Sequence, residues 1–541
     1  MRARRPEAAR GKGGMIMPQR LQLALLAGTA LVGAALVGLA ASGRSAPAGD
    51  ATELLDPRYV AANGCGSLAA DRNGLFKPGA RLVLARAAAA ATTDLAEVPL
   101  YEGLGDLALT ITTEAPLAQR YFDQGLRLAV GFNHAEAVRS FKAAQAADPT
   151  CAMCYWGEAY ALGPTINTPM DPRAARPAFA AAAQARALAE GASPLEQSLV
   201  RAIAERYAPV ADADRQGLDM AFADAMVAAA ERHPESSIVQ MLAAEALMNT
   251  QPWDYWEADK VTTKGRADEI VALLERALEL APDNQGAIHF YIHAVEASAT
   301  PERAEPYADR LRDLVAAAGH LVHMPSHIYY RIGRYQDSLE ANRAAVAADE
   351  RFLAQSEGSE IYRYGYYPHN VHYLLVSAQM SGAAKDALAA ADKLAAVMSN
   401  NLAAEVAWIQ AIKTAPYTAH AQFSDPATIL ALPAPAERFP FVEGFHHYAR
   451  GIALVRSGDP AAAAAERDAI DAILAEHDFA AIEAQYVPAS DLLTIARNVV
   501  DARIAAADGR FADAEALLQE AAALQDTVPY MEPPYWYYPV R

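Results

Sequence analysis

A 34-residue spacing constrains this 541-residue chain more than any other feature of its sequence. Tyr121, Gly125, Ala137, Phe141, Ala144 and Pro149 stand at positions 4, 8, 20, 24, 27 and 32 of a unit beginning at Ala118, and the next unit begins 34 residues on, at Ala152. Small residues at 8, 20 and 27 let two antiparallel helices approach closely. Bulky residues fill the gap between them, and the proline ends the second helix. The same spacing separates a unit starting at Gln285 from one starting at Gly319, where Gly333, Ser338 and Ala345 take positions 15, 20 and 27. Weaker copies lie at 444–478, around Gly458 and Ala463, and at 508–524, with Ala514 and Ala521 as the small positions.

This period predicts an all-α chain, a right-handed α-solenoid of roughly seven to nine tetratricopeptide-type helical hairpins. The alanine runs at 87–91, 181–183 and 461–465 are strong helix formers. Alternating Val/Ile/Thr runs bounded by turns are missing, so no substantial sheet is expected. Length alone would suggest several domains, but a solenoid grows by stacking. One repeat body is therefore expected over 111–541, after a poorly patterned segment at 49–110. Two aromatic-rich stretches, 251–265 and 351–367, are too long for repeat turns. Insertions of this kind gather on one face, often the binding face, where Trp253, Trp256, Tyr362, Tyr364, Tyr366 and Tyr367 are placed to roof a groove.

Residues 1–48 read as a targeting segment. Arg2, Arg4, Arg5, Arg10, Lys12 and Arg20 precede an uncharged stretch at 21–43, followed by the small-x-small pattern Ala46-Pro47-Ala48. The expectation is a signal peptide and a periplasmic or secreted repeat body. The alternative is an uncleaved inner-membrane anchor with the body facing the periplasm, since the apolar stretch is just long enough to span a bilayer. The whole chain carries a net charge of −19, and the part after residue 48 carries −25, because seven basic residues and one acidic residue precede it. Such a body repels phosphate backbones and anionic membranes, so neither is an expected partner, and membrane contact is confined to the first segment.

Cys151 and Cys154 form a C-x-x-C at the start of a repeat helix, while Cys65 stands alone. A local disulfide, buried thiols, a redox pair and metal ligation are all compatible with that spacing. No HExxH, Walker loop, GxGxxG or GxSxG is present, so no catalytic residue is assigned and a non-enzymatic role is expected.

Seven histidines fall between His289 and His372. His289 and His293 take repeat positions 5 and 9; His320, His323 and His327 take 2, 5 and 9; His369 and His372 take 2 and 5 of a unit starting at Pro368. Steps of three and four put residues on one helix face, so these histidines are expected to converge on the concave groove. Pro325 implies a helix beginning near Met324, leaving His320 and His323 in the preceding turn. The expected groove lining is Trp156, Tyr160, His289, His293, Glu296, His320, His323, His327, Tyr330, His369 and His372. One reading is an exported scaffold that binds a protein, peptide or small ligand there. The other is a metalloprotein, with His289, His293, His327, His369 and His372 as candidate zinc or copper ligands and Glu296 as ligand or base.

The segments GFNHAEAVRSFKAAQAADPTCAMCYWGEAYALGPTINTPM, AIHFYIHAVEAS, GHLVHMPSHIYYRIGRYQDSLEANRAAVAAD, YYPHNVHYLLVSAQMSG and EPPYWYYPVR resemble a family of bacterial tetratricopeptide-repeat proteins distantly similar to tetratricopeptide repeat protein 38. The resemblance covers about residues 105–541 and implies an α-solenoid with no assigned reaction. It also implies further repeat helices after the PPYWY segment, close to where this sequence stops at Arg541.

Overall fold

The computed structural model describes residues 98–210, 213–356, 361–405 and 409–541. The targeting segment, the alanine run at 87–91 and Cys65 lie outside these residues. Among the described residues no helix is long and apolar enough to cross a membrane.

Helices pair into consecutive antiparallel hairpins: Pro116–Val130 (α1) with His134–Ala147 (α2), Ala152–Ala161 (α3) with Ala175–Leu188 (α4), Pro194–Glu205 (α5) with Arg215–Arg232 (α6), and Ser237–Met248 (α7) with Ala267–Leu280 (α8). The central hairpins follow. Gln285–Val295 (α9) packs on Glu305–Leu314 (α10); Gly319–His323 (α11) and Pro325–Arg331 (α12) pack on Tyr335–Gln355 (α13); Tyr367–Ser381 (α14) packs on Ala384–Val397 (α15). Ile409–Phe423, the pair Pro440–Arg456 and Pro460–Glu476, and the pair Ala489–Ala507 and Phe511–Thr527 continue the stack. The result is an all-α solenoid. Its only β pairing among the described residues is the bridge between Trp256 and Thr263.

Local chemistry explains the helix ends. Ser193 and Glu196 form a reciprocal capping box at the start of α5. The Asn284 side chain accepts the Ala287 amide and opens α9. The hairpin turns require one left-handed residue, and it is glycine at Gly333, Gly382, Gly458 and Gly509, with φ between +74° and +84°. The first hairpin departs from this rule: Phe132 takes the left-handed conformation, at φ +59°.

Two straps lie along the repeats. Residues 98–115 are extended, burying Leu104, Leu107, Leu109 and Ile111, and they tie distant helices together. Arg127 on α1 donates to Leu107 O at 2.7 Å, and Gln285 on α9 donates to Leu104 O at 2.8 Å. After the last helix, residues 528–541 return across the stack, held by Tyr535 Oη on Tyr486 O at 2.7 Å and Tyr537 Oη on Ala411 O at 3.0 Å.

Two local expectations are corrected. Residues 351–367 do not form a loop throughout: α13 runs on to Gln355, and Tyr362–Tyr366 form a π-helical turn leading straight into α14. His320 and His323 lie on helix α11 rather than in a turn. Met324 keeps helical dihedrals (φ −50°, ψ −38°) and its amide still bonds His320 O at 3.1 Å. Pro325 therefore interrupts the hydrogen-bond ladder without ending the helical path, and α11 and α12 run on from each other.

Candidate metal centre

Six imidazoles from three successive hairpins form one contiguous group. His289 and His293 come from α9, His320, His323 and His327 from α11 and α12, and His369 from the first turn of α14. Ring centroids step through the group at 4.9 Å (His289 to His320), 5.3 Å (His293 to His327), 4.7 Å (His323 to His327) and 4.8 Å (His323 to His369). Close backbone approach makes this possible. A Cβ on Gly286 would lie 2.4 Å from Met241 Sδ and 3.2 Å from Val130, so the glycine sits where the start of α9 packs tightly against side chains of α7 and the end of α1.

These histidines do not line an open groove. His289, His293, His320, His323 and His327 are fully buried, and the His369 side chain is 15 % exposed. The reason is that residues from the inter-helix connections and from the carboxyl-terminal strap pack over them. Phe132 packs edge-on to His289 at 4.5 Å, Trp253 on His293 at 4.9 Å, and Tyr366 on His320 at 5.0 Å. From the carboxyl-terminal strap, Tyr530 Oη donates to Glu296 Oε2 at 2.7 Å, and Glu532 Oε2 lies 3.4 Å from His327 Nδ1 and 3.5 Å from His369 Nε2.

Hydrogen-bond partners fix the tautomers. The Nδ1–H of His289 goes to Val130 O at 2.6 Å, that of His293 to Glu296 Oε1 at 2.8 Å, that of His327 to Glu296 Oε2 at 2.7 Å, and that of His323 to Asn342 Oδ1 at 2.6 Å. The Asn342 amide cannot be flipped, because its Nδ2 donates to Ser338 O at 2.8 Å. In each of these four rings Nε2 is therefore the bare acceptor nitrogen. Two of those nitrogens face each other, His323 and His327 Nε2 at 2.7 Å, while the Nε2 atoms of two further rings approach the others: His369 lies 3.1 Å from His323 Nε2 and His320 lies 3.1 Å from His289 Nε2. His293 Nε2 and His320 Nδ1 are buried with no hydrogen-bond partner.

Electrostatics accentuate this arrangement. Burial pushes the His289, His320, His323 and His369 imidazoles well below their ordinary 6.5, and each is pushed further by the other histidines. Burial lowers His293 as well, against the pull of Glu296. Burial alone would raise the Glu296 carboxyl, but His327 and His293 outweigh it and hold Glu296 well below the usual carboxylate range. The centre thus sets an ionised carboxylate beside a group of imidazoles, of which His289, His320, His323 and His369 are driven by burial toward the neutral form. Three sets of candidate ligand atoms fall within 4.8 Å of one another: His289, His293 and His320; His323, His327 and His369; and His293, Glu296 and His327.

Several expected groove residues lie elsewhere. Trp156 and Tyr160 are core residues, stacked at 5.2 Å, with Trp156 Nε1 donating to Leu199 O at 3.1 Å. His372 shares a helix face with His369 but turns away from the group to pack edge-on against Tyr537 at 5.2 Å, so it belongs to none of the three ligand sets. Tyr330 contacts the carboxyl-terminal strap through Tyr537 O at 3.5 Å. Conversely, His320 and His323, left out of the expected metal set, stand at its middle. Cys151 and Cys154 form a disulfide at the start of α3.

Sequence reasoning missed Phe132, Asn342, Tyr530 and Glu532. Phe132 did carry a signal: it occupies position 15 of its unit, where Gly333, Gly382 and Gly458 stand in theirs. Glu532 carried none, being remote in sequence from every histidine it approaches.

Fold and site together define the class, an α-solenoid of helical hairpins enclosing a buried polyhistidine centre. No protein-family model matches the chain, and no curated protein matches it. Among solved structures the chain is similar to the tetratricopeptide-repeat (TPR) domain of P58(IPK), at 13 % identity over 75 % of this chain and 99 % of that one, with a TM-score of 0.18. At that score the likeness carries no argument, and the fold assignment stands on the helices themselves.

Proposed function

We propose that this is a metal-binding protein whose helical-repeat shell encloses a transition-metal centre of the zinc or copper type, ligated by His323, His327 and His369 with Glu532 beside them. One observation carries the reading. His323 and His327 each spend their Nδ1–H on a fixed acceptor, so two bare Nε2 lone pairs face each other at 2.7 Å in a buried site. Lone pairs repel at that distance unless a cation stands between them. A metal ion bound to both nitrogens removes that repulsion and recruits the third nitrogen of His369. Imidazoles whose other nitrogen donates to a carboxylate or carbonyl-type oxygen are the usual outer arrangement of a metal site. Three imidazoles leave further positions open, which is the coordination of a catalytic rather than a purely structural ion.

Stacks of helical hairpins generally mediate protein–protein contacts through their extended surfaces, and that role is compatible with an enclosed metal. The export reading of residues 1–48 belongs to the same proposal: a Cys151–Cys154 disulfide suits an oxidising compartment, the periplasm or outside the cell. The bacterial family related to tetratricopeptide repeat protein 38 is the proposed kinship.

The test is metal analysis of the purified full chain, stripped and then reloaded with Zn(II). Reloading is expected to restore a stoichiometric ion and raise the melting temperature by mass action. His323→Ala and His327→Ala should each abolish retention while leaving the helical signal intact, because stability is spread over many repeat interfaces. Absence of metal uptake by the wild type, with no shift in melting temperature, would overturn the proposal.

A further inference from the structure

The triad of His289, His293 and His320 shares no residue with that of His323, His327 and His369, so neither must give up a ligand for the other to be filled. Its nitrogens are prepared in the same way. His289 Nε2 is bare because Nδ1–H is held by Val130 O, and His293 Nε2 is bare because Nδ1–H is held by Glu296. His293 Nε2 is a buried acceptor without a partner, and His320 brings its own Nε2 to 3.1 Å from that of His289.

The two triads differ in charge. Glu296 sits behind both triads alike, on His293 Nδ1 and His327 Nδ1, but Glu532 Oε2 approaches a ligand nitrogen of the His323, His327 and His369 group alone, 3.5 Å from His369 Nε2. Among the described residues no carboxylate oxygen belongs to the set of His289, His293 and His320: Glu296 lies behind His293, and Phe132, Trp253 and Tyr366 pack against the three rings. The cost of burying an ion rises with the square of its charge, so a divalent ion there costs about four times a monovalent one of equal size. Imidazole nitrogen suits copper, and a neutral, apolar-walled, three-nitrogen pocket suits its monovalent state.

We propose, building on the reading of the cluster as a metal centre, that the protein holds two ions. The first position, at His323, His327 and His369, takes either a divalent ion or Cu(I). The second, at His289, His293 and His320, is a carboxylate-free site selective for a soft monovalent cation, Cu(I). The two positions are neighbours, since the His320 and His323 rings are 5.9 Å apart and those of His293 and His327 are 5.3 Å apart.

The test is anaerobic titration of the metal-stripped full-length protein with Cu(I) against a chromophoric competing chelator, and separately with Zn(II). Wild type is expected to bind two equivalents of Cu(I) but one of Zn(II). His289→Ala or His320→Phe should reduce Cu(I) from two to one and leave Zn(II) at one. His369→Ala should weaken Zn(II) binding, leaving two histidines to hold the ion, and reduce Cu(I) from two to one. A wild type that stops at one Cu(I), with His289→Ala unchanged, overturns the second site and leaves the first standing. A wild type that binds neither ion overturns both. The wild-type ratio of the two stoichiometries decides the matter even if a variant fails to fold.

Discussion

Two buried polar clusters in this solenoid solve the same electrostatic problem in opposite ways. In the amino-terminal hairpins, Arg206 is buried beneath α5 among Asp219, Glu245, Tyr160 and Tyr207. Its guanidinium donates to Pro164 O at 2.9 Å, lies 3.8 Å from Asp219 and stacks over the Phe222 ring at 4.5 Å. The chain there supplies its own permanent cation. In the central hairpins, Glu296 is equally buried, but the groups it faces are His293, His327 and Tyr530. Histidine gives up its charge readily on burial, whereas arginine does not. The first cluster therefore carries a fixed cation within the fold, whereas under the proposed metal reading the second would take its cation from outside.

The difference is broken most forcefully by acid. His289, His320, His323 and His369 have folded-state affinities for protons well below the unfolded value of 6.5. Their contribution to stability is complete above pH 6.5 and is lost as pH falls through that value toward the folded ones. Each should cost about 1.4 kcal/mol per pH unit in that window. Melting temperature of the metal-free protein against pH should be flat above about 7 and fall steeply below 6.5. Bound metal, competing with the protons, should move the fall to lower pH; equal curves with and without metal would erase the distinction between the two clusters. Replacing the built-in cation is the complementary test. Arg206→Met leaves Glu245 buried without its cation, while Asp219 keeps Arg215 at 2.9 Å, and should cost about 3–5 kcal/mol in urea unfolding, unaffected by added metal.

Smaller effects sharpen the account of how the centre is enclosed. Phe132→Gly relieves a left-handed backbone worth about 1 kcal/mol but removes a buried ring worth about 3–5, for a net loss of roughly 2–4 kcal/mol. The same variant should admit chelator faster, measured as the rate of metal loss. Asn342→Leu frees His323 Nδ1 from its acceptor and should weaken metal binding about 10- to 100-fold in a chelator competition. Asn342→Asp, which keeps an acceptor there, should retain most of the affinity, and equal losses in both variants would place Asn342 in packing alone.

How much of this was legible in the sequence follows from which interactions are periodic. The small residues at positions 8, 20 and 27 announce the hairpins, and the steps of three and four among histidines announce that α9, α11, α12 and α14 share a histidine face. Burial of that face was not legible. It depends on connections carrying Phe132, Trp253 and Tyr366 and on the strap carrying Tyr530 and Glu532, which has no repeat pattern; Tyr530 acts on Glu296 across 234 residues. The proline in HMPSH misled because proline removes one hydrogen bond but does not forbid a helical path, so His320 and His323 stayed in register with His327. His372 shares its spacing with His369, and only the strap's Tyr537 decides that it faces away from the others.

The central claim is that bare imidazole nitrogens face one another because a metal ion belongs between them. X-ray absorption on the Zn(II)-loaded full-length protein tests this directly, because it counts the nitrogen neighbours and the imidazole rings behind them. The account predicts a first shell at about 2.0–2.1 Å containing three histidine nitrogens, with one histidine lost in His369→Ala. A first shell dominated by oxygen, or a histidine count that His369→Ala leaves unchanged, would contradict it.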